Sequence, residues 1–191
     1  MSIDKKSSQH KEAHSSILGL NLGCGSDIRN GYVNTDIVSL SGVDVVCDIK
    51  QFPYPFPDDR FSSLLLINVL EHLPDTINTL EEIYRVSKNG GHVTIRVPYW
   101  NSMEMSTDPT HISFFNERSF DYFDPTKPLC KRRPYYSKAR FHIRSLGVWV
   151  HLNNRYILIH NPLICGTLLG ISHYLSNVVR LIEFVLEPIK P

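Results

Sequence analysis

The sequence predicts an α/β fold with a mostly parallel sheet, and three observations carry that expectation. Short apolar runs recur without polar alternation, as in strands buried on both faces. Several of these runs end on glycine or an acid, and one well-marked amphipathic helix separates two of them. The chain has 191 residues, enough for one compact domain. We assign that domain to residues 17–191 and treat residues 1–16 as a flexible polar lead-in without the apolar centre of a signal peptide.

Ile17 to Leu22 is an apolar run that ends at Gly23-Cys24-Gly25, a strand entering a glycine turn. Six residues separate Gly25 from Tyr32, too few for an ordinary crossover helix. The first crossover is therefore abbreviated, and Tyr32 to Asp36 is a second strand ending on an acid. Val43 to Cys47 is a third, closed by Asp48. The proline-spaced stretch from Phe52 to Asp59 is an extended loop, because proline lacks the donor that a helix or central strand needs. Ser62 to Ile67 is the fourth strand. From Thr76 to Lys88, Ile77, Leu80, Ile83 and Tyr84 recur at helical spacing, with Asp75 as cap and Asn89-Gly90-Gly91 as the stop. His92 to Val97 is the fifth strand.

Residues 99–134 form a long irregular stretch, read as a lid or acceptor-binding segment with one helical turn at Glu117 to Phe123 capped by Asn116. Ala139 to Leu152 and Arg155 to His160 flank Asn153-Asn154, a hairpin signal that would finish the sheet antiparallel. Leu168, Ile171, Leu175, Val178, Ile182 and Val185 then make an apolar stripe, which predicts an amphipathic C-terminal helix over residues 162–189. That helix would dock on its own sheet, pair two subunits in a homodimer, or lie on a membrane surface. His173, Asn177, Arg180 and Glu183 interrupt it, so it is no transmembrane span.

Composition narrows the function classes. Twenty Lys and Arg against nineteen Asp and Glu give a net charge of +1, which argues against nucleic acid as a general partner. The cysteines Cys24, Cys47, Cys130 and Cys165 are widely spaced, so no cysteine metal site is expected and a reduced, cytoplasmic chain is the simplest reading. Lys127, Lys131, Arg132, Arg133, Lys138, Arg140 and Arg144 form an acid-free basic stretch, either a solvated face or an attractor for an anionic acceptor.

Ligands of open α/β sheets bind outside the carboxyl ends of the strands. Gly23 and Gly25 would let the backbone approach a ligand, Asp36 would accept from a ribose diol, and Asp48 from an exocyclic amine. These positions describe a nucleoside pocket. The third glycine of a dinucleotide fingerprint is missing, Ile28 standing in its place, so a nucleotide-linked dehydrogenase is disfavoured.

Five ordered segments extend this reading: Leu20 to Gly25, Gly31 to Asp36, Pro55 to Phe61, Asn68 to Leu73 and Glu82 to Gly91. Together they resemble the class I S-adenosylmethionine-dependent methyltransferases, in the short type 11-like branch. Ser62 and Asn89 depart from the usual aspartate and proline of that pattern. The resemblance implies a Rossmann-like, seven-stranded sheet with an antiparallel last strand and S-adenosylmethionine as cofactor. It implies that Gly23, Cys24 and Gly25 meet the methionine end, that Asp36 holds the ribose, that Asp48 and Ile49 meet the adenine, and that Asn68 and Glu71 lie beside the sulfonium. For an O or N acceptor such as a small metabolite or glycan, His111 is the preferred base, with Asp108 to orient it; the competing reading gives His111 a structural role. His72 is a second, weaker base. No metal is expected. The alternative to an enzyme is a non-catalytic S-adenosylmethionine-binding protein acting through a partner.

Overall fold

The computed structural model describes residues 19–191; the expected lead-in over residues 1–16 lies outside them. The strands are β1 (Gly19–Leu22), β2 (Tyr32–Asp36), β3 (Val45–Val46), β4 (Phe61–Ile67), β5 (Ser87–Pro98), β6 (Phe141–Leu152), β7 (Arg155–Ile159) and β8 (Leu181–Pro188). The helices are α1 (Thr76–Val86), α2 (Met103–Thr107), α3 (Pro128–Arg132) and α4 (Pro162–Ser172). All eight strands join one sheet in the order β3-β2-β1-β4-β5-β8-β6-β7. β1 to β5 run parallel, and β8 enters antiparallel between β5 and β6.

Side chains of the central strands explain the core. Leu20, Leu22, Leu64, Leu66, Val93, Ile95 and Val97 are fully buried, and Leu80, Ile83 and Val86 of α1 are buried with them. The Asp75 carboxylate accepts from the Asn78 N–H at 2.9 Å and caps α1 as its sequence predicts. Where no helix joins β1 to β2, a polar network closes the connection. The buried Asn21 amide donates to Asn34 Oδ1 at 3.1 Å, and the Arg29 N–H donates to the same oxygen at 2.8 Å. The abbreviated crossover is thus held by side-chain hydrogen bonds that pair backbone groups no helix pairs.

Three expectations need correction. The helix expected over residues 162–189 ends at Ser172, and Leu181–Pro188 is a strand. Its stripe also fits a two-residue period: Ile182, Phe184, Leu186 and Pro188 are buried at alternate positions. Asn177, with φ of 63°, breaks the helical path between the two elements. The sheet has eight strands rather than seven, because β8 joins the five parallel strands and the two strands of the expected hairpin, whose Asn153-Asn154 turn has both residues at positive φ. The hairpin finishes the sheet antiparallel as expected, with β7 at the edge and β8 between β6 and β5. Glu117 to Phe123 forms successive turns, without a helix. Among the described residues no helix is long and apolar enough to cross a membrane, and the four cysteines are free thiols.

Candidate active site

The chain leaves β1 towards β2 on one side and β4 on the other, so the carboxyl ends of β1 and β4 form the switch point of the sheet. Gly23 follows β1 there and Asn68 follows β4. A cavity of about 260 Å³ opens at this point, lined by Gly23, Asp36, Asp48, Ile49, Asn68 and His72 among others. It gathers five of the expected cofactor residues. Gly23 has φ of 64°, and a Cβ there would meet Val69 Cγ2 at 2.7 Å. Gly25 has φ of 50° and open space where its Cβ would stand. Only glycine suits both positions.

Asp36 is fixed from two sides: Oδ2 accepts from the Gly25 N–H at 2.8 Å and Oδ1 from the Val38 N–H at 3.0 Å. Each oxygen keeps a further lone pair for a ligand diol. Asp48 accepts from the Lys50 N–H at 3.0 Å beside the apolar Ile49, whose carbonyl holds the buried Tyr54 hydroxyl. A cradle without Cβ atoms, a carboxylate for a diol and an acid beside an apolar wall fit an adenosyl cofactor. Cys24 and Gly25 do not line this cavity. The Cys24 N–H instead donates to the Thr35 carbonyl at 2.9 Å and closes the turn; burial, with the charge of Asp36, pushes its thiol pKa up.

A second cavity of about 750 Å³ shares Asn68 and His72 with the first. Glu71 belongs to this one. It lies in a 3-10 turn at Leu70–His72, where both of its carboxylate oxygens are buried without a hydrogen-bond partner among the described residues. Burial pushes its pKa up to about 7. His111 is brought against it by the backbone: the N–H groups of Ile112 and Ser113 both donate to the Glu71 carbonyl, at 2.9 and 3.0 Å. His111 Nε2 then stands 3.9 Å from Glu71 Oε1. The His72 and His111 rings meet edge to face with centroids 4.6 Å apart, and burial, with the neighbouring His111, holds the His72 pKa below its ordinary value.

Asp108 does not orient His111 as expected. The His111 Nδ1 bonds the Met105 carbonyl at 3.0 Å. The Asp108 carboxylate is taken up by Thr110, accepting from its hydroxyl at 2.6 Å and its N–H at 2.8 Å. Asp108 acts on His72 through that hydroxyl, which is 2.9 Å from His72 Nδ1.

The opposite wall of the larger cavity was not foreseen. Arg96 pairs with Glu183 at 2.8 Å and lies 4.1 Å from the centroid of the Trp149 ring. Arg180 pairs with Glu104, which also accepts from the Tyr156 hydroxyl at 2.5 Å. Arg180 and Glu183 interrupt an apolar tract, and that was their visible signal; the predicted helix assigned them to a solvent face. None of the seven cations between Lys127 and Arg144 lines either cavity. The Arg140 guanidinium is spent on the carbonyls of Pro134, Ser137 and Ala139, and Arg144 on Glu187.

A family profile described as a methyltransferase domain matches residues 9–122. A search of curated proteins gives no match. Among solved structures, a SAM-dependent methyltransferase from Archaeoglobus fulgidus aligns with a TM-score of 0.57 at 16% identity, over 88% of this chain and 85% of its own. A possible histamine N-methyltransferase from Thermotoga maritima aligns at 0.56 and 13% identity, over 87% and 80%. The [4+2]-cyclase SpnF aligns at 0.53 and 16%, over 90% and 75%. The shared fold and the matched profile agree with the glycine turn, acidic strand ends and switch-point cavity: this chain belongs to the methyltransferase-domain family, with the class I S-adenosylmethionine-dependent fold.

Proposed function

We propose that the protein binds S-adenosylmethionine in the smaller cavity and methylates an oxygen or nitrogen of a small acceptor held in the larger one. The observation that carries this reading is that the two cavities share Asn68 and His72, with Glu71 and His111 on the acceptor side of that boundary. Gly23 admits the methionine end of the cofactor, the Gly25 N–H fixes Asp36, which accepts from the ribose, and Asp48 with Ile49 meets the adenine. When bound, the cofactor supplies an electrophilic methyl group.

The chain's own work is alignment and proton removal. The Met105 carbonyl only accepts, so His111 carries its proton on Nδ1 and presents the Nε2 lone pair to the cavity. Nε2 takes the acceptor's proton, and the Glu71 carboxylate stabilises the imidazolium that results. The cavity volume of about 750 Å³ suits a small molecule. Its cations are neutralised by Glu183 and Glu104, and Trp149, Met103 and Leu181 supply apolar wall. A neutral, hydroxylated acceptor with an apolar face, such as a sugar unit or small metabolite, fits this lining better than a phosphorylated one.

Incubation with methyl-labelled S-adenosylmethionine and a panel of neutral glycosides and hydroxylated metabolites tests the reading. Label transferred to a panel member, with Asp36→Ala inactive, supports it. Saturable cofactor binding without transfer to any acceptor favours the non-catalytic alternative, a distinction that matters in a fold shared with a cyclase.

A further inference from the structure

Glu71, His72 and His111 each place one ligand atom within 4.8 Å of the other two. Two imidazoles and a carboxylate are the donor set of catalytic zinc sites that keep an open position, and of non-haem iron sites. Around a tetrahedral ion at ~2.0–2.1 Å from its ligands, neighbouring donors stand about 3.3 Å apart, so small side-chain rotations would close the set.

The proton positions point the same way. The Met105 carbonyl accepts from His111 Nδ1. The Thr110 hydroxyl gives its proton to the Asp108 carboxylate at 2.6 Å, so it accepts from His72 Nδ1 at 2.9 Å. Both rings therefore carry hydrogen on Nδ1 and offer a bare Nε2 lone pair. A carbonyl behind one histidine and a hydroxyl–carboxylate relay behind the other are the outer-shell supports that fix metal-ligating imidazoles. Glu71 completes the pattern, because its side chain is fully buried and neither oxygen has a hydrogen-bond partner among the described residues. A buried carboxylate without a partner is costly unless a cation satisfies it.

We propose that Glu71, His72 and His111 hold a divalent first-row transition-metal ion at the boundary of the two cavities, with a coordination position open to the acceptor. Resting on the methyltransferase reading, this assigns the acceptor class as one with a metal-coordinating hydroxyl. The ion would lower the pKa of that hydroxyl and its proton would pass to solvent, with no change of oxidation state. His111 Nε2 is then committed to the ion, and acidification of the bound hydroxyl replaces the imidazole as the means of proton removal.

Calorimetric titration of the chelator-stripped full chain with Zn²⁺ tests the site without any turnover. We expect one ion per chain, binding at least tenfold weaker in Glu71→Gln, His72→Ala and His111→Ala, and no change in His173→Ala. Thr110→Val removes no ligand, only the support of His72, and should weaken binding by about tenfold. Co²⁺ in the same site should show no thiolate charge-transfer band. Absence of binding, binding retained in the triple variant, or a thiolate band placing the ion on cysteine would overturn the proposal. Thermal unfolding of each variant separates loss of ligands from loss of fold. Methyl transfer by stripped protein that takes up no Zn²⁺ would refute the ion and leave the methyltransferase reading standing. Specific Zn²⁺ uptake without cofactor binding would support the ion and refute that reading.

Discussion

His111 Nε2 stands 3.9 Å from Glu71 Oε1, and that carboxylate is buried without a hydrogen-bond partner among the described residues. The pair is held by backbone: the segment after His111 donates two N–H groups to the Glu71 carbonyl. A costly buried acid is therefore positioned by two backbone hydrogen bonds, beside the residues the two cavities share.

The stability of the metal-free protein should reveal that cost. Glu71→Gln keeps the shape but removes the charge of a buried acid whose pKa is pushed up to about 7, relieving roughly 1–3 kcal/mol at pH 8 after the unmet hydrogen bonds of the new amide are counted. For a chain of this size each kcal/mol is worth about 2–4 °C in Tm. Calorimetric unfolding in the presence of chelator should show the rise, and a lower Tm would mean that the carboxylate is satisfied in solution.

His111→Ala should leave affinity for S-adenosylhomocysteine nearly unchanged and lower turnover about 10²–10⁴-fold once an acceptor is found. Turnover at the wild-type rate would return His111 to a structural role.

Gly23→Ala should damage both fold and binding. The new Cβ would sit 2.7 Å from Val69 Cγ2, in a backbone conformation that costs an L-residue roughly 1–2 kcal/mol. Gly25→Ala meets open space and should cost the backbone strain alone in stability. Equal destabilisation of the two variants would contradict the packing at Val69.

Acid should unfold the protein through a small set of carboxylates. Burial raises Glu82 and Asp124, but hydrogen bonds outweigh it: Glu82 is held below its ordinary value by Arg85 and the Tyr54 N–H, Asp124 by the Ile143 N–H and Thr126. Glu104 behaves likewise through Arg180 and Tyr156. A depressed folded-state pKa gives stability that is present above the unfolded values of 4.5 for Glu and 3.8 for Asp and lost as pH falls through the lower folded values. Tm measured against pH should fall in that window, and Glu82→Gln should flatten part of the slope.

The first five strands, α1 and the glycine turn beside the smaller cavity were legible because local chemistry dictates them. A glycine turn after Leu22, acids after β2 and β3, and the Asp75 cap act within a few residues of where they appear. The C-terminal third was less legible. The run from Leu181 to Pro188 satisfies helical and strand periods together, and pairing with β5 and β6 decides between them. The same cause hid the far wall of the larger cavity, since Arg96, Trp149 and Glu183 meet only once β8 lies between its neighbours. Glu71 and His72 were visible as a pair. Their junction with His111 depends on backbone bonds across forty residues that no local pattern announces.

The most direct test of the central claim is a calorimetric titration of S-adenosylhomocysteine into the wild-type chain and into Asp36→Ala. The account predicts one saturable site per wild-type chain, weaker by roughly 1–3 kcal/mol in the folded variant because a charged acceptor of the ribose diol is lost. Equal affinity in the two proteins, or no binding to the wild type, would contradict it.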